Sequence, residues 1–317
     1  MKLKCSIEKI KTSHLLTVFI FALVSCTGLR FYHSMNNINR ETGFYTNVDF
    51  TVILFYAILV FAVLFIIIAG YFSADNRKLE DKVVHPNKGL GVVSIFLSLA
   101  MLLDTGYSFI MAISEYANGT NVVDDSEYVG LIRNGKLPYS LMSIFSLLAC
   151  IYFLAFAISV FKKKGKFVSN SILALIPLCW ACAKMIPLFI KQISFIRVSD
   201  LVLEVAVVSL LIAYTISLAQ CLSGVYEKDA QWRITALGFA VALVSLVLNI
   251  PKLVFVIIGK GETYITSGYP TSYSEIVFAV FALVLIFSTR KRGEIVPPAS
   301  IEEETSNVPE TDNKTNQ

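Results

Sequence analysis

The sequence predicts an all-α integral membrane protein with about eight transmembrane helices. Of its 317 residues 56% are apolar and only 16% are charged, and the mean hydropathy is +0.68. The apolar residues fall in long runs of roughly 20, the length that crosses a bilayer as a helix. Too few polar residues remain outside these runs to cover a water-facing core, so the composition excludes a soluble enzyme fold.

Eight runs carry little or no charge and are about long enough to cross the hydrocarbon core. They cover residues 14–32, 51–72, 90–114, 139–161, 168–190, 201–223, 234–258 and 272–289. The second and fourth are the clearest, because they contain no charged residue. Together they predict one transmembrane domain over 14–289, with seven or nine helices as alternatives.

The first run follows a short basic segment, residues 1–13, as it would in a signal peptide. The run continues past Cys26 to Tyr32, however, and no small-residue cleavage site stands at its end. We therefore expect an uncleaved helix. The alternative is lipid attachment at Cys26, which follows Ser25 and would leave seven helices.

The loops differ strongly in positive charge, which predicts the orientation. With a cytoplasmic N-terminus, seventeen Lys and Arg residues in the short loops and beside the helix ends fall on the cytoplasmic side and seven on the outer side. Both termini are therefore predicted to be cytoplasmic, which requires an even number of helices.

Residues 290–317 are rich in Glu, Pro, Ser, Thr and Asn. Such a segment has little to bury, so it is predicted to be a disordered cytoplasmic tail. A tail that docks a partner is the alternative.

The loops are too short for a soluble catalytic or sensory domain. The basic residues stand in short clusters and do not form a nucleic-acid-binding face.

One charged residue recurs in the outward half of each odd-numbered helix. These are Arg30, Asp104, Lys184 and Lys252, at spacings of 74, 80 and 68. Four tandem helical hairpins would produce this pattern. The alternative is that the charges simply lie near the interface, as in many polytopic proteins.

Four of the ionisable residues in the apolar runs are candidates for a functional role, because a charge there costs roughly 2.5–3.5 kcal/mol. They are Asp104, Lys184, Glu204 and Lys252. Either lysine can extend its ammonium to the headgroups, whereas the short Asp104 side chain cannot. The other interpretation is internal pairing, with the two acids neutralising the two lysines.

Prolines accompany both lysines and predict kinks in their helices. Pro177 and Pro187 flank Lys184, and Asn249 and Pro251 precede Lys252. Broken helices that face a cavity form polar sites in many transporters, although packing bends without a ligand are also common. The candidate site is an outward-facing polar vestibule, lined by Asp104, Lys184, Glu204, Asn249 and Lys252.

Two of the six cysteines, Cys179 and Cys182, form a C-x-x-C within a helix. This spacing would suit an intramembrane thiol oxidoreductase, but the outer loops offer no second pair. We expect the two to be buried small apolar residues. The sequence has three histidines and no metal-ligating or catalytic motif at membrane depth, so no cofactor or metal is predicted.

A short segment after the first helix resembles a known group of proteins. Arg30-Phe31-Tyr32 precedes Ile38-Asn39-Arg40-Glu41-Thr42-Gly43-Phe44-Tyr45, and this segment is similar to an E-T-G-F-[FY] turn in uncharacterised multi-pass membrane proteins of clostridia-type bacteria. The resemblance implies no activity. From this resemblance we expect the protein to be located in a bacterial cell membrane.

Three functional hypotheses follow from these observations. The first is binding or translocation of a small solute through the vestibule, with no enzymatic reaction. The second is a non-transporting module that assembles with partner membrane subunits. The third and weakest is the thiol oxidoreductase.

Overall fold

The computed structural model describes residues 12–39, 44–72, 88–118, 136–162, 172–190, 198–223, 230–265 and 271–290. The predicted N-terminal segment up to residue 11, most of the predicted tail and the Glu41-Thr42-Gly43 turn lie outside these residues. The predictions made for them stay predictions.

The described residues form eight principal helices. They are α1 (Thr12–Asn36), α2 (Phe50–Phe72), α3 (Lys88–Asn118), α4 (Lys136–Lys162), α5 (Ile176–Ile190), α6 (Val198–Leu222), α7 (Ala230–Ile257) and α8 (Tyr273–Arg290). A 3-10 turn at Leu173–Leu175 precedes α5, and a one-turn helix at Gly261–Tyr264 follows α7. Within the described ranges the only β pairing is an isolated bridge between Ile38 and Tyr45. The all-α prediction is confirmed.

Six of these helices, α1 to α4, α6 and α7, are long and apolar enough to cross a membrane. The chain is therefore a polytopic membrane protein that contacts lipid. The apolar stretches of α5 and α8 are shorter, at Leu173–Phe189 and Tyr273–Ser288. That these two also cross the bilayer stays a prediction.

The outer surface of the bundle is apolar, as contact with lipid requires. Phe21 of α1, Phe61 of α2 and Leu103 of α3 expose 69%, 73% and 62% of their surface. In water such side chains would be unfavourably hydrated, whereas in hydrocarbon they meet a solvent as apolar as themselves.

Six helices pack in a closed ring, in the order α3, α4, α5, α6, α7, α8 and back to α3. Large buried side chains fill the ring. Phe278 of α8 contacts Phe153 of α4, Trp180 of α5 and Tyr214 of α6. The ring is thus a packed core and not an open pore at this level.

Helices α1 and α2 pack on the outside of this ring, and both contact α7. Helix α7 also contacts α6 and α8, so it is the most enclosed helix, with 72% of its apolar stretch buried. Each pair of sequential helices predicted as a hairpin is in contact. Any up-and-down bundle has such contacts, so the fourfold repeat stays a prediction.

Helices α2 and α7 approach closely at Gly70. A Cβ atom at Gly70 would lie 2.6 Å from the Cβ atom of Ala236 and 3.3 Å from its Cα atom. Neither atom can rotate away, so the two helices are this close only because residue 70 lacks a side chain.

Gly70→Ala is expected to destabilise the bundle relative to Gly28→Ala by about 1–3 kcal/mol, the cost of overpacking a close contact. Gly28 is the matched control, because it is also helical and a Cβ atom there meets nothing within 4 Å. Thermal unfolding in detergent tests this difference. Equal melting temperatures for the two variants would contradict the close α2–α7 contact.

Candidate functional site

Seven charged side chains are buried among the helices and form what we call the buried ion network. They are Arg30, Asp104, Lys184, Asp200, Glu204, Lys252 and Glu275, each no more than 8% exposed. They come from six helices, namely α1, α3, α5, α6, α7 and α8. The network lies toward the end of the bundle where α1 ends and α2 begins, which we call the 37–49 end.

Lys184 is the centre of one half of the network. Its Nζ atom donates to Oε1 of Glu275 at 2.8 Å and to the hydroxyl oxygens of Ser272 and Ser274 at 2.9 and 3.3 Å. Oδ2 of Asp104 lies 3.5 Å from the same Nζ atom. Lys184 is therefore paired inside the bundle and its ammonium does not reach the headgroups.

Asn249 fixes the orientation of Glu275. Its Nδ2 atom donates to Oε2 of Glu275 at 3.0 Å and to the Ser245 carbonyl at 3.1 Å. Its Oδ1 atom accepts from the backbone N–H of Ser272 at 3.0 Å. Both oxygens of the Glu275 carboxylate thus accept a hydrogen bond, one from Asn249 and the other from Lys184.

The second half of the network links α1, α6 and α7. Lys252 Nζ lies 3.2 Å from Oε1 of Glu204 and 4.0 Å from Oδ1 of Asp200. Arg30 pairs with the same Oδ1 atom of Asp200 and donates to the Tyr45 hydroxyl at 3.1 Å. Glu204 interacts electrostatically with Lys184 and Glu275, so the two halves influence each other.

The structure brings all five sequence-predicted residues together, and each is enclosed, with 0–8% exposed. Glu204 meets Lys252 as a direct pair, whereas Asp104 is only the more distant carboxylate at Lys184. In this conformation the five residues lie inside the protein, so a solute would need an opening to reach them. The outward-facing vestibule stays a prediction.

Three members of the network were not among the predicted site residues. Asp200 and Glu275 stand in the first turns of α6 and α8, where acids ordinarily complement the helix dipole at the surface. Arg30 stands near the end of α1, where arginine commonly reaches the headgroups. The recurring charge pattern of the odd-numbered helices already contained Arg30.

The helices that carry the lysines continue through their prolines. Pro187 lies inside α5, and Pro251 lies inside α7. Neither helix is therefore interrupted at the network.

The C-x-x-C pair does not face the network. Both thiols are free, and Cys179 and Cys182 are exposed on the outer face of α5, so the expectation that they are buried is wrong. Trp180, Ala183 and Lys184 are buried, because helical periodicity turns them inward and the two cysteines outward. Within the described residues no group of three His, Cys, Asp or Glu side chains is placed to hold a metal ion.

An apolar groove of about 740 Å³ lies beside Tyr45 on the lipid-facing side. Residues of the 44–48 segment, α2 and α6 line it, among them Phe44, Val52, Tyr56 and Val202. Its lining consists of large apolar side chains with Ala57 as the small exception.

Comparison with protein-family models, with curated proteins and with solved structures gives no match.

Replacing Lys252 alone with Met is expected to cost about 3–5 kcal/mol, because Glu204 then stays buried without its partner. Replacing Lys252 with Met and Glu204 with Leu together removes the pair and is expected to cost clearly less. Thermal unfolding in detergent compares the variants with Lys260→Met, a control at an exposed lysine. If Lys252→Met unfolds at the same temperature as Lys260→Met, Lys252 and Glu204 are not paired in the folded protein.

Proposed function

We propose that the protein binds and translocates a small polar solute across a bacterial cell membrane. The observation that carries this proposal is the buried ion network itself. Seven charged side chains from six helices lie inside a bundle whose surface faces lipid. No enzymatic reaction is part of the proposal.

Stability alone does not account for the network. Each charge loses its hydration on burial, and apolar side chains of similar volume often stabilise a protein as well as a buried ion pair does. Ionisable groups at membrane depth typically mark the pathways of solutes and ions. The network therefore favours a transport role over a purely structural one.

The arrangement along the bundle supports a pathway that is closed on one side. Trp180 and Phe278 lie farther from the 37–49 end than Lys184 and Glu275, and neither is exposed. They would block a solute from passing beyond the network, away from the 37–49 end. With both termini cytoplasmic, as the charges of the loops predict, the 37–49 end faces outward and the solute arrives from outside.

The chemistry of the site favours a solute that carries both donors and acceptors. Lys184 offers N–H donors, and Asp104 and Glu275 offer carboxylate oxygens within 3.5 Å of it. A zwitterionic solute would replace these internal partners group by group, so that no charge is left unpaired while it is bound.

A second candidate function is assembly with a partner membrane subunit. The apolar groove beside Tyr45 favours it, because it is concave and open toward lipid. Its large lining residues do not form the small-residue patch by which membrane helices commonly associate. The groove by itself supports this function less well than the network supports transport.

Ser274 provides the test of the proposed pathway. Its hydroxyl contacts Lys184 and Asp104, and it is 0% exposed. In a variant without native cysteines, Ser274→Cys is expected to react with a charged, membrane-impermeant thiol reagent added outside right-side-out vesicles. The reaction requires water to reach the network from that side.

Val202→Cys is the matched control, because Val202 lies on α6 between Asp200 and Glu204 and is 49% exposed on the lipid-facing surface. We expect it to remain unlabelled, since hydrocarbon excludes the charged reagent. If Ser274→Cys is no more reactive than Val202→Cys, while both label fully after unfolding, the outward pathway is wrong.

A further inference from the structure

The buried ion network contains more negative than positive groups. Among the described residues it has four carboxylates, Asp104, Asp200, Glu204 and Glu275, and three cationic side chains. His33 is also buried, but it lies one turn after Arg30 on α1, where a second positive charge is disfavoured. With every carboxylate ionised, these seven described residues would carry one more negative than positive charge at membrane depth.

The pairing shows where this surplus lies. Asp200 has Arg30, Glu204 has Lys252 at 3.2 Å, and Glu275 has Lys184 at 2.8 Å. These pairs use all three cationic groups. Asp104 is the carboxyl group that remains, and it has only a share of Lys184, at 3.5 Å.

The hydrogen bonds of Lys184 also indicate Asp104 as the carboxyl group that carries the surplus. An ammonium group has three N–H donors, and its three nearest acceptors are on Glu275, Ser272 and Ser274, at 2.8 to 3.3 Å. Asp104 Oδ2 is fourth, at 3.5 Å. Glu275 receives the closest of these bonds and a second one from Asn249, which stabilise its ionised form.

The other polar contact of Asp104 suits both protonation states. Its Oδ2 atom contacts the hydroxyl of Ser274. A hydroxyl donates to a carboxylate and accepts from a carboxylic acid, so Ser274 can stay bonded to Asp104 in either state.

A proton fits the site better than a metal ion. Within the described ranges no three His, Cys, Asp or Glu side chains converge on one point, whereas a proton needs only one carboxyl oxygen. Trp180 lies beside Lys184, with Nζ 5.3 Å from the ring centroid. The buried indole N–H of Trp180 has no hydrogen-bond partner. Trp180 can therefore donate a hydrogen bond to a polar molecule next to the network.

The groups that face Asp104 come from every neighbouring helix. Lys184 faces it from α5 and Glu275 from α8, while Tyr107 of α3 interacts with Asp104 and with Tyr139 of α4. Glu204 of α6 acts at longer range through Glu275 and Lys184. Among these, Lys184 is the one cation, and it is closer to Glu275.

We propose that Asp104 binds an exchangeable proton and is the proton-coupling site of the protein. With the proton bound, the network is neutral and the bundle closes as observed. When the proton leaves, Asp104 and Glu275 compete for Lys184 and the contact between α5 and α8 weakens. The coupling role depends on the proposed solute transport, but the proton site does not and is tested separately.

Infrared difference spectroscopy of the protein in lipid tests the site, because a protonated carboxyl group has its own carbonyl band. We expect this band in the wild type at neutral pH, with loss at higher pH. Asp104→Asn should remove it, and Asp104→Glu should shift its frequency. Lys184→Met should increase it, because Glu275 then also requires a proton.

Asp49→Asn is the control, because Asp49 is an exposed carboxylate near the same end of the bundle, and it should leave the band unchanged. The wild-type titration keeps the test decisive even where a variant does not fold. Absence of the band at neutral pH, or a band that persists in folded Asp104→Asn, would overturn the proton site. A band that appears only when sodium is replaced by choline would assign the surplus charge to a bound cation instead. Each of these results would leave the proposed solute pathway standing.

Discussion

The ion pair between Lys184 and Glu275 is the interaction on which one half of the buried ion network depends. At 2.8 Å it joins α5 to α8 inside the bundle, and Ser272, Asn249 and Asp104 gather around it. An unpaired ammonium at this depth would be strongly disfavoured or would turn outward to the headgroups. Because the pair forms, Lys184 stays inside and the start of α8 is held to α5 across the ring.

Along the axis of the ring of helices, the buried side chains around this pair form two successive layers. The layer toward the 37–49 end is charged and hydrogen-bonded, and the next layer contains Trp180, Tyr214 and Phe278, all fully buried. The low dielectric of the apolar layer strengthens the interactions within the charged layer. It also makes an unpaired polar or charged group strongly destabilising. The site therefore combines strong internal pairing with sensitivity to one added or removed charge.

The sequence was informative about the fold because hydrocarbon tolerates so few residue types. Runs without charge, such as that of α2, have no other plausible environment. Depth within the membrane also identified Asp104, Lys184, Glu204 and Lys252 as residues that need partners. The partners themselves depend on which helices pack together, and first-turn acids such as Glu275 look the same in a sequence whether they face water or the core. The orientation of Cys179 was predicted wrongly, because in a helix without a polar face the composition does not distinguish a lipid-facing side from a buried one.

The central claim is that the Lys184 ammonium is paired with Glu275 within the bundle. Solid-state NMR of the protein in lipid bilayers, with the lysine side-chain nitrogen and the glutamate side-chain carboxyl carbon labelled, measures this directly through their dipolar coupling. The account predicts a strong coupling at the Lys184 signal, which is assigned by its loss in Lys184→Met and is separate from the signal of Lys252 beside Glu204. This coupling disappears in Glu275→Gln and remains in Glu262→Gln, a control at an exposed glutamate. A Lys184 signal without carboxyl coupling, and with rapid exchange with water at the headgroups, would contradict it.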